Sequence, residues 1–537
     1  MLIIALLVVS IILFALAYRF YSPKIATWLG MEPNRPTPAH VMKDGVDYCP
    51  AKLPILFGHH FASIAGAAPI VGPVIAAAYG WGPVILWIIL GGIFLGSVHD
   101  FAALIASLHH RGRSIGEVIS EQVGRLGGRL FLFFLWATLV LLIAVYLVIV
   151  AKTFETVPSA ATASSLFVFL AVFFGLSVYR LCLPLGWASL IAVIILAACM
   201  FIGWLWPIEL SADTWLIILI AYIITASVTP VWILLQPRDY LNSFLLYSLL
   251  IIAIVGVFVA RPEANFPMFI TWYDPKLGSL FPILFVTVAC GAISGYHSVV
   301  ASGTTAKQLD KEAHARPIGY GAMLVECVLA TLALISVIII TKSQYSVALA
   351  KEAPVALFSN GMGTLISSLG INQMHGTNFA ALAVSAFVLT TLDTATRLCR
   401  YAFQEFFAPN KGEKPNILNR SRFIGTFVTV AAAAALAFSG HWKAIWPIFG
   451  SANQLLAALA FLAVALWLKH KGKKVKFLLI PMCIMFVITL SALGVLVQKN
   501  IMEGDYVLAT IATALFVLAI TLLFDAIKSL RKIVKVQ

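Results

Sequence analysis

The residues of this chain that could do chemistry stand inside apolar stretches, at two runs of small, polar and helix-breaking residues. The first run extends from His59 to Pro73 and the second from Gly291 to Ser298. Both runs predict broken helices, because proline removes a backbone donor and each glycine weakens a helix by about 1 kcal/mol. Amides freed at a half-helix N-terminus can hold a carboxylate, and unwound carbonyls can coordinate a cation. Close packing of small residues is the alternative explanation of each run.

The two runs supply the candidate substrate-binding residues and hinges. His297 could add a positive charge or carry a proton, because imidazole titrates near neutral pH, and it could equally be a hydrogen-bonded packing residue. The candidate hinges are Pro69, Gly72 and Gly291. The candidate substrate-binding residues are Ser63, Ala65, Gly66, Ala67, Ser294, Gly295, Tyr296 and His297.

A third polar run, Thr390 to Arg397, lies in a later apolar stretch. Hydroxyls of Thr390 and Thr391 and the carboxylate of Asp393 are oxygen groups of the kind that hard cations prefer, so they are candidates for cation or proton coupling. The alternatives are that the threonines hydrogen-bond back to their own helix and that Asp393 pairs with Arg397 at i,i+4 spacing.

Further ionisable residues stand within apolar segments, where burying a charge costs several kcal/mol unless it is paired. His99, Asp100 and Glu326 are candidate proton carriers, with the first two assigned to coupling. Whether His59, His60, His99 and Asp100 are structural or functional stays open. We expect no metal site, because no i,i+4 ligand spacing links these residues. Arg238 and Asp239 stand at a predicted helix end, where a structural ion pair is expected.

Composition assigns these residues to a membrane protein. Of 537 residues, 61% are hydrophobic and 11% charged, against roughly 25% charged in soluble domains. Long apolar stretches argue against a β-barrel, whose strands need only about 10 alternating residues. The net charge of +14 fits basic cytoplasmic loops better than nucleic-acid binding. The seven scattered cysteines form no CxxC pair and suggest neither disulfides nor zinc.

Hydropathy and charge predict an all-α polytopic protein of about 15 transmembrane helices in a bacterial inner membrane. Alternate loops are rich in Lys and Arg, which predicts the N-terminus outside and the C-terminus inside. We expect 1–20 to be a retained helix, because it lacks the features of a signal peptide. The predicted spans are 1–20, 58–80, 82–108, 129–151, 164–180, 186–206, 214–235, 240–260, 280–303, 317–341, 376–400, 423–440, 442–467, 477–498 and 505–527.

The two interrupted spans each open a block of five helices and run in opposite directions, which is typical of inverted-topology repeats. The predicted organisation is an N-terminal helix and cytoplasmic loop (1–57), a first repeat (58–206), an inserted helix pair (207–279), a second repeat (280–467) and a C-terminal helix pair (468–537). Within the second repeat, 342–375 is expected outside as a helical hairpin that closes the vestibule.

Several motifs resemble the carbon starvation protein A family over most of the chain. They are Gly58-His59-His60-Phe61, Trp81-Gly82-Pro83, Val98-His99-Asp100-Phe101, Gly112-Arg113-Ser114-Ile115-Gly116-Glu117 and Leu235-Gln236-Pro237-Arg238-Asp239-Tyr240-Leu241-Asn242. The resemblance implies the LeuT-type 5+5 inverted repeat of the amino acid–polyamine–cation superfamily and uptake of pyruvate or peptides when carbon is scarce. Thr390 and Thr391 would then resemble the second sodium site of that fold.

The sequence thus favours a secondary transporter over an enzyme. The first hypothesis is cation-coupled uptake of a small organic carboxylate, pyruvate above all, with H⁺ or Na⁺ as the coupling ion and no cofactor. A peptide transporter and a channel are the alternatives. A membrane-embedded enzyme is less favoured, because the chain has no HExxH, GxSxG or phosphate-loop motif. The expected partners are the substrate and the lipid bilayer, without nucleic acid, and the oligomeric state stays open.

Overall fold

Helices make up most of the described chain, because a segment in hydrocarbon must satisfy its backbone polar groups internally. The structure, a computed structural model, describes residues 1–45, 47–181, 183–350, 354–409, 416–440 and 442–536. Its one small antiparallel sheet among these residues pairs β1 (Tyr273–Asp274) with β2 (Gly278–Ser279).

The described residues between 1 and 205 contain eleven α-helices. They are α1 (Leu2–Leu16), α2 (Ser22–Leu29), α3 (Pro38–Val41), α4 (Leu53–Ile64), α5 (Ala68–Ala76), α6 (Trp81–Gly91), α7 (Ser97–His109), α8 (Ile115–Val123), α9 (Arg125–Thr156), α10 (Pro158–Tyr179) and α11 (Leu185–Leu205). Short π-helical turns, Ala17–Tyr21 and Gly92–Gly96, join α1 to α2 and α6 to α7, and a 3₁₀ turn, Ala77–Tyr79, follows α5.

The described residues after 205 contain thirteen more. They are α12 (Ala212–Val228), α13 (Leu235–Ala260), α14 (Leu280–Thr287), α15 (Gly295–Gly303), α16 (Ala322–Ile338), α17 (Lys342–Ala350), α18 (Pro354–Ser367), α19 (Gln373–Phe406), α20 (Ile417–Arg420), α21 (Arg422–Phe438), α22 (Trp442–His470), α23 (Lys476–Met502) and α24 (Tyr506–Val536). Irregular turns lead from α15 into α16 through Thr305–Lys307, Glu312–His314 and Arg316–Gly321.

Eleven helices of the described chain are long and apolar enough to cross a membrane, and the bent α4–α5 pair makes a twelfth. The three other expected spans correspond to shorter elements. Segments 214–235 and 423–440 overlap α12 and α21, of 17 residues each, and 280–303 contains α14 and α15. A straight crossing takes about 20 residues, so the count of about 15 rests on these shorter helices and stays a prediction.

Both interrupted segments are broken helices, as the sequence predicts. Helices α4 and α5 meet at a 40° bend through Ala65–Ala67, and Val288–Ser294 separates α14 from α15. The expected hinges need a correction. Gly291 lies in the second break, but Pro69 and Gly72 lie inside α5. Pro69 is tolerated there because the amides of a helix's first turn have no intrahelical partner.

The helices that carry the candidate residues lie at the centre of the bundle. All residues in the most apolar stretch of α22 are buried, as are 94% of those in the corresponding stretch of α19. In α11 only 22% of them are buried. The interior helices therefore offer protein partners for polar side chains, while the outer ones present Leu, Ile and Phe to lipid.

The loops form two groups, one at each end of the bundle, and the loops within each group contact one another. At the end expected inside, the Arg35 guanidinium lies 2.7 Å from His109 Nδ1, and His109 Nε2 lies 3.1 Å from Glu312 Oε1. At the other end, Lys499 donates to the Lys276 carbonyl at 2.6 Å. The predicted hairpin 342–375 contains α17 and α18, while 351–353 lie outside the described residues. The Tyr345 hydroxyl of α17 donates to the Val74 carbonyl of α5 at 2.9 Å.

Candidate functional site

The chain at the first break is tightly packed against α19. Ser63, Ala65 and Ala67 are fully buried, and the Thr391 hydroxyl of α19 donates to the Ser63 carbonyl at 3.1 Å. A methyl group on Gly66 would lie 2.6 Å from Thr391 Oγ1, so only glycine lets α19 approach the break this closely. Side chains from α19 thus hold the chain where α4 ends.

A buried charged network lies beside this break, formed by His59, Tyr222, Arg238, Asp239 and Asp393. We call it the first-break network. Asp239 Oδ2 lies 2.7 Å from His59 Nδ1, and Asp393 Oδ2 accepts from the Tyr222 hydroxyl at 2.6 Å. The Arg238 guanidinium pairs with Asp393 and also contacts Tyr222. Its members come from α4, α12, α13 and α19, so the network ties the first broken helix to the inserted helix pair.

The first-break network reaches the break through Ser63. The Ser63 hydroxyl lies 3.5 Å from Asp239 Oδ2 and 3.5 Å from Thr394 Oγ1, at the long limit of hydrogen bonding. A change of charge on Asp239 or His59 would therefore act on the last turn of α4.

The predicted coupling residues on α19 are placed as follows. Thr391 faces the first break, as described. Thr390 donates to its own helix at the Ala386 carbonyl, 3.0 Å away, and accepts from the Asn242 amide at 2.9 Å. The alternative that Asp393 pairs with Arg397 is wrong, because Asp393 binds Arg238 and Arg397 donates to the carbonyls of Ala226 and Thr229.

The second break is held by one amide side chain, Asn453 of α22. Its Oδ1 accepts from the Tyr296 backbone N–H at 2.8 Å, and its Nδ2 donates to the Ser294 hydroxyl at 3.0 Å. A methyl group on Gly295 would lie 2.2 Å from the Asn453 carbonyl oxygen, so glycine is required for this approach. Asn453 therefore caps the N-terminus of α15.

A second ionisable cluster surrounds His297 at this break. His297 Nδ1 lies 2.8 Å from Asp100 Oδ2, and His99 Nδ1 lies 2.8 Å from Asp100 Oδ1. On the other side, His297 Nε2 lies 3.4 Å from Glu326 Oε2. The structure thus gathers His99 and Asp100 with His297 and separates them from the α19 residues with which the sequence analysis grouped them.

Cys290, His297 and Glu326 form the one set of His, Cys, Asp and Glu side chains in the described chain that could hold a metal ion. From the sequence, the candidate metal ligands were a different set, His59, His60, His99 and Asp100. His59 and His60 instead bind Asp239 and Thr305, each at hydrogen-bonding distance.

The substrate-binding candidates all lie at the two breaks or in the adjoining turn, and their binding role stays a prediction. Sequence reasoning missed Asn453, Tyr222 and Asn242, and it assigned Arg238 and Asp239 only a structural pair. A signal was present in one case, since Asn453 and Gln454 are adjacent amides inside an apolar span. Tyr222 gave no such signal, because tyrosine is common in membrane helices.

A helical membrane bundle with two broken helices and buried ionisable clusters beside them is the architecture of a membrane transporter. Comparison of this chain with known proteins gives the same class. The chain belongs to the carbon starvation protein CstA family, whose model matches residues 3–351 and 346–492.

Curated relatives cover most of the chain. A peptide transporter CstA of Campylobacter jejuni is 33% identical over 88% of this chain and 76% of its own length. That of Bacillus subtilis is 32% identical over 93% and 91%, respectively. The pyruvate/proton symporter BtsT of Escherichia coli is 31% identical over 94% of this chain and 83% of its own. Among solved structures, a manganese transporter of Eremococcus coleocola shares the fold, with a TM-score of 0.51, 11% identity and coverage of 91% and 99%.

Proposed function

We propose that this chain is a proton-coupled symporter for a small organic carboxylate, with pyruvate as the first candidate, in a bacterial inner membrane. The proposal includes the LeuT-type 5+5 inverted repeat with the N-terminus outside and the C-terminus inside. One observation carries it: the first-break network places a buried acid–imidazole pair, His59 and Asp239, next to the broken helix.

The charge of the first-break network favours a proton as the coupling ion. Asp239 and Asp393 contribute two carboxylates and Arg238 one guanidinium, so with His59 neutral the network has one negative charge in excess. Burying a net charge is costly, and one added proton removes that cost. Proton binding would also change the contact of Asp239 with Ser63, and so would bias the first break between two arrangements.

The substrate carboxylate would bind at the start of α5. Half-helix N-termini attract anions, and both α5 and α15 begin at a break. Because Asn453 already caps α15, the N-terminus of α5 at Ala67 and Ala68 is the better anion position. Sodium at Thr390 and Thr391 is the other coupling hypothesis. It is less favoured, because Thr390 donates to its own helix.

Substrate size separates the two candidate functions. Most of the relatives given above are named as peptide transporters, which favours a peptide substrate. The tight fit at Gly66, with Thr391 Oγ1 2.6 Å from an added carbon, favours a small one. A peptide would require the helices around both breaks to separate much further than pyruvate would.

Uptake of labelled pyruvate into proteoliposomes tests the proposal, with a proton gradient and a sodium gradient imposed separately. We expect accumulation under the proton gradient alone, and its collapse by a protonophore. Pyruvate accumulation that requires excess dipeptide, or that excess dipeptide abolishes, would indicate that the chain transports peptides. Pyruvate movement that merely equilibrates would indicate a channel.

The variant Asp239→Asn tests the coupling step. We expect accumulation to fall at least about tenfold, because asparagine cannot bind or release the coupled proton and so keeps the network in its neutral form. Exchange of internal for external pyruvate should persist, because it needs no net proton movement. The matched control, Asp213→Asn, changes an exposed acid in the first turn of α12 and should leave accumulation unchanged. Normal accumulation by Asp239→Asn would contradict the proposed coupling site.

A further inference from the structure

Three side chains converge at the second break from three different elements. Cys290 lies in the break itself, His297 in the first turn of α15 and Glu326 in α16. Their potential ligand atoms all lie within 4.8 Å of one another, and all three residues are buried. The first-break network has no member in this set.

The orientation of His297 leaves its second ring nitrogen facing a carboxylate. Asp100 Oδ2 lies 2.8 Å from Nδ1, which assigns the ring proton to Nδ1 and the lone pair to Nε2. Nε2 then faces Glu326 Oε2, and neither atom has a hydrogen-bond partner among the described residues. Two electron-rich atoms in a buried site repel each other unless a positive charge lies between them.

The distance between these atoms favours a metal ion over a shared proton. A charge-assisted hydrogen bond would bring Nε2 and Oε2 to about 2.7–2.9 Å. Tetrahedral zinc, with bonds of about 2.0–2.1 Å to both atoms, would hold them about 3.3–3.4 Å apart. The separation in the structure is 3.4 Å.

Cys290 is placed to act as a thiolate ligand. Its Sγ lies 3.3 Å from the Ser294 hydroxyl and 3.8 Å from Asn453 Nδ2, and both groups can donate to a thiolate. One thiolate, one carboxylate and one neutral imidazole balance a divalent cation, so the three ligands and the ion together would carry no net charge into the apolar interior.

We propose that Cys290, His297 and Glu326 bind one tetrahedral divalent metal ion, with Zn²⁺ as the first candidate. Asp100 is the positioning residue that fixes the His297 ring, as carboxylates do for metal-binding histidines. A mixed S, N and O ligand set suits zinc, and three protein ligands leave one position of the shell for another group. The ion would cross-link the second break to α16. This site does not depend on which substrate is transported.

Cobalt binding to the purified full chain in detergent tests the site. After dialysis against a chelator, we expect one Co²⁺ to bind per chain and to produce a thiolate-to-cobalt charge-transfer band, which Zn²⁺ should then remove. Cys290→Ser should abolish the band. The matched control, Cys327→Ser, changes a buried free cysteine next to Glu326 that is not in the ligand set, and should retain it. Asp100→Asn should weaken Co²⁺ binding about 10–100-fold while keeping the band.

Two results would overturn the metal site, given variants that remain helical and monodisperse. One is wild-type binding no greater than that of Cys290→Ser, which would leave a proton between His297 and Glu326. The other is a band that persists in Cys290→Ser but disappears in Cys327→Ser. If the wild type shows no specific Co²⁺ binding but accumulates pyruvate under a proton gradient, this inference alone fails, whereas Co²⁺ binding without coupled uptake would refute the proposed function alone.

Discussion

At the scale of single residues, the buried charges are paired across helices that lie far apart in sequence. Arg238 is 1% exposed and Asp393 is fully buried, and the two are separated by 155 positions. A buried pair contributes little net stability, because desolvation offsets the attraction, but loss of one partner leaves an uncompensated charge. The pair therefore fixes how α13 and α19 pack against each other, but it adds little to the free energy of unfolding.

Removing one partner of this pair should cost more than removing both. We expect Arg238→Leu to lower the free energy of unfolding by about 3–5 kcal/mol, and Arg238→Leu with Asp393→Leu to recover most of that loss. Thermal unfolding in detergent measures both.

The control for this prediction is Arg113→Leu. Arg113 is half-exposed and pairs with Glu117 and Glu121 on the surface, so its loss should cost less than about 1 kcal/mol. A double variant as unstable as Arg238→Leu alone would show that the charge imbalance is not the cause.

At the scale of elements, each broken helix is positioned by an unbroken one. Helix α19 supplies Thr391 to the first break, and α22 supplies Asn453 to the second. Both are among the most buried helices, so the breaks lie against the protein interior rather than against lipid.

The contact between α15 and α22 depends on the absence of a side chain at Gly295. A carbon added there would lie 2.2 Å from the Asn453 carbonyl and 2.5 Å from the Ala457 amide, both backbone atoms that cannot move alone. We expect Gly295→Ala to reduce pyruvate uptake at least about tenfold and to lower the melting temperature, with membrane insertion intact.

The matched control is Gly494→Ala in α23. An added carbon at Gly494 meets nothing within 4 Å, and alanine favours a helix by about 1 kcal/mol over glycine. Uptake and melting temperature should therefore be unchanged or slightly raised. Equal behaviour of the two variants would show that the α15–α22 approach does not matter.

At the scale of the whole molecule, the two ends differ in charge and in contacts. Basic loops gather around His109 and Glu312 at one end, and the sheet β1–β2 with α17 lies at the other. Cytoplasmic loops of membrane proteins carry an excess of Lys and Arg, so we expect the end with His109 to be the inner one.

Reagent labelling of introduced cysteines tests this orientation. In a cysteine-free background, we expect Asp274→Cys to react with a membrane-impermeant thiol reagent in intact cells. Lys471→Cys should react only after permeabilisation, because it follows α22 at the basic end. Reaction of Lys471→Cys in intact cells would reverse the proposed orientation.

The class of protein, the family and the presence of both helix breaks could be predicted from the amino-acid sequence alone. Apolar length, loop charge and helix-breaking residues can each be read from a short stretch of sequence. They predict structure well in a membrane protein, because backbone groups in the bilayer must be paired within their own segment. The hinge positions were less accurate, since Pro69 and Gly72 are compatible with the first turn and the body of a helix.

The contacts between polar groups could not be predicted from the sequence. Asp393 could have paired with Arg397 one turn away, yet it binds Arg238 and Tyr222 from two other helices. His297 could have stood alone, yet it lies between Asp100 and Glu326. Local spacing fixes the face of a helix on which a side chain lies, whereas its partner depends on how the helices pack, and that is a property of the whole fold.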